Sequence, residues 1–235
     1  MDKTIEWVRR ELKGQADEKM YIGGQRFFKN AVKLYGTRSP EVRKISQQSF
    51  AQIKGAGSDE IYALCEALWR SGYLEETFVA CNWSYRLHKK YRPKDFKLFE
   101  KWIAKYVNNW ASCDIFCSHT VGCFVEMYPR YITDIKKWAK SKNRWVKRAA
   151  AVTFIIPARH GKFLDDIFEI AAILLRDTDD MVQKGYGWML KAASEAHQKQ
   201  VFDFVLKHKT DMPRTALRYA IEKMPPALRA KAMEK

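Results

Sequence analysis

The amino-acid sequence predicts an all-α protein built from repeated helix pairs. Apolar residues recur at spacings of three and four almost throughout the chain, which is the period of an α-helix. Ile61, Leu64, Cys65 and Leu68 show this spacing clearly. The chain has only 11 Gly and 7 Pro among 235 residues, too few turns for an all-β protein of this length. Similar segments also recur at a fixed interval, as expected of a repeat architecture.

Turn and cap residues divide the chain into about a dozen helical segments of roughly 10–18 residues each. The first 7 residues lead directly into an amphipathic helix and show no signal-peptide core. Ser39 before Pro40, and Ser58 before Glu60, are helix-start signals. The other boundaries fall at Gly14, 36–40, 55–58, 71–72, 92–93, Pro129, 160–161, 211–213 and 225–226. Because no linker is long enough to separate domains, we expect a single domain over residues 1–235.

Three related hexapeptides predict the type of repeat. Residues 144–149 are matched by residues 180–185, which lie 36 positions later, and residues 214–219 follow after another 34. The first two share an apolar residue, a polar pair and then a small residue where paired helices pack closely. Each unit of a HEAT-type solenoid buries its apolar face on its neighbours in this way. The sequence therefore predicts a HEAT-like helical repeat solenoid.

The same period singles out one carboxylate. It places Asp114, Arg148, Lys184 and Arg218 at equivalent positions, in a row along one face. Trp110 precedes Asp114 by four residues, so the two share a helix face. They could be a core tryptophan and a solvated aspartate. Alternatively, the neighbouring cations keep Asp114 ionised, and the carboxylate beside an aromatic face stabilises a developing cation near a nucleic-acid backbone.

The charge and composition restrict the possible partners and the compartment. The chain has 43 Lys+Arg against 27 Asp+Glu, a net charge of +16, and 47% hydrophobic residues, which excludes a disordered chain. No apolar run approaches the roughly 18 residues of a membrane span. Five cysteines form an odd, sparse set, as expected of reduced thiols in a cytoplasmic protein. We therefore expect a cytoplasmic protein that does not bind membranes.

The distribution of the cations predicts a nucleic-acid partner. Residues 136–160 contain eight Lys or Arg and no acid, and residues 86–105 contain eight against Asp95 and Glu100. A solvated surface that only confers solubility usually mixes the two signs, whereas a polyanion binder concentrates cations. Charge alone does not distinguish DNA from RNA. The first run includes Arg144, Lys147 and Arg148.

The cysteines and histidines do not predict a metal site. Cys113, Cys117, His119 and Cys123 lie close in sequence, but on one α-helix the two pairs point in directions roughly 240° apart. The sequence contains no CxxC, no P-loop, no dinucleotide-binding glycine motif and no HExxH. We expect neither a metal nor an organic cofactor.

Several motifs, in order along the chain, resemble those of the AlkD-type DNA glycosylases, a HEAT-like-repeat DNA alkylation repair family. The resemblance covers most of the sequence. It rests on Lys29-Asn30, Gly36, Ser39-Pro40-Glu41, Arg43, Trp110-x-x-x-Asp114, Trp145-Val146-x-Arg148-Ala149-Ala150 and Gln183-Lys184-x-x-Gly187-Trp188. It implies an all-α solenoid whose basic concave face holds duplex DNA. It also implies hydrolysis of the N-glycosidic bond of cationic N3- or N7-alkylated purines.

The resemblance assigns roles to individual residues. Asp114 resembles the catalytic carboxylate, Trp110 and Trp188 the aromatics that face the deoxyribose, and Arg148 the arginine that supports the site and the DNA backbone. The expected catalytic set is Asp114, Trp110 and Arg148. The expected DNA-binding set is Trp188, Lys184, Lys147, Arg144, Arg43, Arg38 and Arg218. Asn108, Asn109 and Cys113 depart from the family pattern, and Arg38 stands where a neutral polar residue is usual.

The sequence-based prediction is a monomeric, monofunctional DNA glycosylase for base excision repair of alkylated purines in double-stranded DNA. It would be associated with the nucleoid when bound. Two alternatives remain open at this stage. One is a non-catalytic helical-repeat protein that recognises damaged or branched DNA by shape and charge. The other is a HEAT-like scaffold whose groove holds an acidic peptide.

Overall fold

The computed structural model describes residues 3–234 and confirms the all-α helical-repeat fold. Within this range the structure contains helices and two isolated β-bridges, Ala16–Thr37 and Lys33–Tyr73, but no β-strand. No helix in the described range is both long and apolar enough to cross a bilayer. The chain forms two compact units, Met1–Ile115 and Phe116–Lys235. The expectation of a single domain over residues 1–235 stays a prediction.

The first unit contains seven α-helices among its described residues. They are α1 (Lys3–Gly14), α2 (Glu18–Phe27), α3 (Ser39–Ile53), α4 (Ser58–Ser71), α5 (Leu74–Arg86), α6 (Asp95–Tyr106) and α7 (Trp110–Ile115), with a short 3-10 turn at His88–Lys90. Asp17 caps α2 by accepting a hydrogen bond from the Met20 backbone N–H. Gly72 ends α4 in the left-handed conformation that favours glycine. Ser39 and Ser58, the predicted start signals, are the first residues of α3 and α4.

The second unit begins with a π-helix, Phe116–Val121, and a 3-10 turn occurs at Pro129–Tyr131. Its α-helices are α8 (Gly122–Met127), α9 (Ile132–Trp138), α10 (Arg144–Val152), α11 (Ile155–Arg159), α12 (Leu164–Leu174), α13 (Asp180–Ser194), α14 (Gln198–His208), α15 (Arg214–Ile221) and α16 (Pro226–Met233). Within this unit α10 packs on α13, and α13 packs on α15. These three helices contain the related hexapeptides of the sequence.

The helix starts reproduce the predicted period. Helices α3, α5, α7, α10, α13 and α15 begin at Ser39, Leu74, Trp110, Arg144, Asp180 and Arg214, so consecutive starts are 34–36 residues apart. The small residues lie where neighbouring helices approach closely. A Cβ atom on Gly187 would come within 2.7 Å of the Tyr219 Cβ and 2.8 Å of the Ala216 carbonyl oxygen. Glycine therefore sets the separation of α13 and α15.

We expect the Gly187→Ala substitution to destabilise the protein by about 1–3 kcal/mol, because overpacking a tight helix contact forces the backbones apart. Urea unfolding followed by circular dichroism measures the effect. Gly23→Ala is the matched control, since Gly23 lies within α2 and its added Cβ would meet no atom within 4 Å. Alanine there should stabilise the helix by roughly 0.5–1 kcal/mol. Equal unfolding midpoints for Gly187→Ala and wild type would refute the packing argument.

A buried acidic pair on α5 fixes the loop that precedes α3. The Glu75 carboxylate accepts hydrogen bonds from the backbone N–H groups of Tyr35, Gly36 and Thr37 at 2.9–3.1 Å. The neighbouring Glu76, fully buried, accepts from the Arg9 guanidinium and from the Tyr35 hydroxyl. Such charge-assisted bonds hold the loop in one conformation. They thereby position Arg38, which directly precedes α3, and Arg43 in the first half of α3.

Candidate functional site

The short helix α7 presents both residues of the Trp110–Asp114 pair. The Asn109 side chain begins the helix by accepting a hydrogen bond from the Ser112 backbone N–H at 2.9 Å, and its amide donates to Asn108 at 2.8 Å. Cys113 points into the core and is fully buried. Trp110 and Asp114 are half-buried. The residues that depart from the family pattern therefore cap and anchor the helix that holds the candidate carboxylate.

Trp110 belongs to an aromatic cluster formed with Phe27 and Phe28, at the end of α2. Its ring stacks on Phe28 with centroids 5.6 Å apart and an interplanar angle of 29°. It also meets Phe27 edge-on at 5.4 Å. Phe27 is 68% exposed, although a large aromatic side chain normally buries most of its surface. The cluster therefore offers solvent an aromatic surface one helical turn from Asp114.

Sequence reasoning missed Phe27 and Phe28. They lie more than 80 positions before Trp110, and no local period connects them to it. The available signal was the phenylalanine pair directly before Lys29-Asn30, which is one of the motifs that resemble the family. The structure brings this pair together with Trp110 within the first unit.

Arg148 lies in α10 of the second unit and is buried, with 5% of its surface exposed. Its guanidinium donates a hydrogen bond to the Met181 backbone carbonyl in the first turn of α13. Gly185 makes room for it, because a Cβ atom there would lie 3.2 Å from the Arg148 Cγ. A buried arginine held in this way is part of the α10–α13 contact, whereas the sequence placed it in a row of charged residues along one face.

In the folded protein, acidic side chains from other segments lie close to the cations of residues 136–160. Three aspartates at the start of α13 approach the predicted DNA-binding cations. The ion pairs are Arg144 with Asp179 at 2.9 Å, Lys147 with Asp177, and Lys184 with Asp180 at 2.9 Å. Lys136 likewise pairs with Asp166 and Glu169, and Arg159 with Glu195. Asp180 precedes Lys184 by only four residues, but the other acids lie 30 or more positions from their partners and outside the run, so counting charge within the run could not detect them.

The other predicted DNA-binding residues differ in their surroundings. Arg38 directly precedes α3 and is exposed, with one guanidinium nitrogen 3.9 Å from the Asp17 carboxylate. Arg43 and Arg218 are exposed, and neither has an ion-pair partner within residues 3–234. Trp188 lies half-buried on α13. The predicted set therefore contains free surface cations, cations neutralised by aspartates, and one aromatic residue.

The geometry around Cys117 differs from the single α-helix assumed in the sequence argument. The π-helix Phe116–Val121 interrupts the α-helical period between Cys113 and Cys123, and such interruptions are frequent at functional sites. Cys113 and Cys117 are fully buried. Burial lowers the pKa of His119, on the same π-helix. No group of three or more His, Cys, Asp or Glu in the described range could hold a metal ion.

Comparisons with known proteins agree with the fold. Residues 8–224 match the family described as DNA alkylation repair enzyme. Among solved structures, the chain is similar to a predicted DNA alkylation repair enzyme from Enterococcus faecalis, with a TM-score of 0.81 and 15% identity. The match covers 90% of this chain and 98% of that one. No curated protein sequence matches significantly.

Proposed function

Because the chain belongs to the DNA alkylation repair enzyme family, we propose that it is a DNA glycosylase that acts on cationic N3- and N7-alkylated purines in duplex DNA. The observation that supports this activity is the half-buried Asp114 carboxylate on the same short helix as Trp110, beside the partly exposed aromatic cluster. A carboxylate next to aromatic faces suits a reaction that develops positive charge.

The proposed reaction needs few protein groups. Alkylation at N3 or N7 makes the purine positively charged, so breaking the C1′–N bond sends its electron pair to the base, which leaves neutral. The sugar becomes an oxocarbenium-like cation, which the Asp114 carboxylate stabilises electrostatically. A water oxygen then bonds to C1′ and loses a proton to solvent, which leaves an abasic site. The leaving base requires no general acid.

The aromatic cluster and Trp188 complement this electrostatic role. The face of an indole attracts a cation, so Trp110 stabilises the same developing charge as Asp114. Phe28 stacks on Trp110 and fixes the orientation of the indole ring. We assign Trp188 to the deoxyribose on the basis of its position in the family motif.

Arg148 fits a positioning role better than a role as an exposed backbone contact. It is 5% exposed and donates to the Met181 carbonyl between two packed helices. Removal of a buried, hydrogen-bonded guanidinium disturbs the packing of its surroundings. The Arg148→Ala variant should therefore lose more excision activity than its loss of DNA affinity explains.

The ion pairs predict unequal contributions to DNA affinity. Arg43→Ala should weaken duplex binding and reduce the salt slope by about one, because a free cation releases a counterion on meeting a phosphate. Lys184→Ala should have a smaller effect, since Lys184 must first leave Asp180. Fluorescence anisotropy with a labelled duplex, over a titration of NaCl, measures both slopes. If Lys184→Ala reduces the slope as much as Arg43→Ala, its pairing with Asp180 does not persist on DNA.

The direct test of the proposed function is release of free base. The purified protein is incubated with a duplex that contains one N7-methylguanine, and the free base and abasic site are quantified. Release above the spontaneous rate supports the glycosylase. Tight duplex binding without release would identify a non-catalytic DNA-binding protein instead. We further propose that the enzyme acts as a cytoplasmic monomer, associated with the nucleoid when bound, and needs neither metal nor cofactor.

A further inference from the structure

The end of the second unit contains a cleft that the proposed reaction does not use. It lies between α15 and α16, is shallow and largely open to solvent, and has a volume of about 410 Å³. Ile221, Pro226, Ala230 and Met233 provide apolar lining. Lys209 fixes the end of α16 by donating to the Glu234 backbone carbonyl at 3.0 Å. Because Lys209 directly follows α14, this bond holds the end of α16 against the end of α14, outside the cleft.

Two guanidinium groups border this apolar lining. Arg218 and Arg229 both line the cleft and are exposed, and neither has an ion-pair partner within residues 3–234. Glu222 also lines the cleft, but the Lys191 Nζ lies 2.9 Å from its carboxylate and offsets its charge. The cleft therefore combines an apolar floor with two arginines that have no ion-pair partner among the described residues. Arg144 and Lys184, in contrast, are each paired with an aspartate.

The apolar floor and the two arginines together indicate which class of ligand the cleft would bind. A guanidinium binds a carboxylate through parallel hydrogen bonds, and an apolar cleft gains free energy by enclosing an aliphatic or aromatic side chain. A DNA backbone offers phosphates but no apolar side chain to fill the floor. An acidic peptide that carries a large apolar residue offers both groups in one short segment, which is a known mode of peptide recognition.

We propose that the α15–α16 cleft is a docking site for an acidic peptide segment of a partner protein. The apolar side chain of the peptide lies against Ile221, Ala230 and Met233, and its carboxylates pair with Arg218 and Arg229. This site is separate from the Trp110–Asp114 pair, and it assigns Arg218, which the sequence predicted as a DNA-binding residue, to the peptide instead. It would let the protein associate with another protein without using the Trp110–Asp114 pair.

Fluorescence anisotropy with labelled peptides tests the proposal. The probe is the peptide Asp-Glu-Asp-Leu-Phe, and the control peptides replace either the acids by their amides or the Leu-Phe pair by Ser-Ser. We expect the probe to bind the full chain and both controls to bind at least about tenfold more weakly, the ratio expected for losing one charge-assisted contact or one buried apolar side chain. Equal affinity for the probe and either control would overturn the proposal.

Variants of the cleft locate the binding and separate it from DNA recognition. Arg229→Ala and Met233→Asp should each weaken probe binding about tenfold or more, with unchanged circular dichroism and unchanged excision of N7-methylguanine. Arg43→Ala, outside the cleft, should leave probe binding unchanged while it weakens duplex binding. If instead Arg229→Ala weakens duplex binding and duplex DNA displaces the probe, the cleft is a DNA-backbone contact and the proposal fails, whether or not the protein excises bases.

Discussion

Replacement of Asp114 by Asn is expected to lower the single-turnover rate of base excision by about 10²–10³-fold, the usual effect of removing one preorganised electrostatic group. The change is nearly isosteric and removes only the negative charge. Asp114 lies half-buried on α7, beside Trp110 and one turn from the solvent-facing aromatic cluster. A developing cation near this helix therefore loses its counter-charge while the surrounding packing is retained.

The controls for this variant separate catalysis from folding and from binding. Duplex affinity and the thermal unfolding midpoint of Asp114→Asn should stay close to those of the wild type. Asp203→Asn is a matched control, since Asp203 is an exposed aspartate on α14 that pairs with Lys199 at 2.6 Å. Its excision rate should equal that of the wild type. An Asp114→Asn rate within threefold of the wild type would remove Asp114 from the proposed mechanism.

The repeat architecture could be predicted because local pattern and tertiary packing require the same residues. The small residues Ala149 and Gly185 both lie five residues after their helix starts, and both are buried. Gly185 faces the neighbouring helix α10 at close range. The spacing of small residues in the sequence is therefore the spacing that close packing of the helices requires.

The surroundings of the site could not be predicted in the same way. Asp177 and Asp179 neutralise Lys147 and Arg144 across more than 29 positions, a separation at which charge counting in a local window carries no information. Phe27 reaches Trp110 across a longer interval still. Contacts of this kind depend on how helices are brought together, whereas periodicity reports only which face of each helix is buried.

The departures from the family pattern are explained by local structure. Asn109 caps α7 through the Ser112 N–H, and Asn108 accepts a hydrogen bond from the Asn109 amide. An asparagine is among the preferred residues at a helix start. These residues therefore act on the helix that carries Asp114 without entering the chemistry, and the sequence alone gives no sign of that distinction.

The charge of the damaged base should decide which lesions are removed. N7-methylguanine and a bulkier N7-alkylguanine should both be excised, whereas hypoxanthine in the same duplex should react about 10²–10⁴-fold more slowly, the typical contribution of general acid catalysis. A neutral purine must be protonated as it leaves, and an ionised Asp114 has no proton to give. The alkylated bases carry their positive charge already and leave without help.

The same comparison distinguishes an open site from an enclosed base pocket. Most glycosylases rotate the damaged nucleotide into a snug pocket that reads the edge of the base. The groups on the first unit are instead a carboxylate and an aromatic cluster whose Phe27 is 68% exposed, and these suit a deoxyribose better than a base edge. We therefore expect the enzyme to excise the larger cationic adduct as well, because groups that contact the deoxyribose do not limit the size of the base. Efficient release of hypoxanthine, or complete rejection of the bulkier N7-alkylguanine, would instead require a closed pocket with its own proton donor.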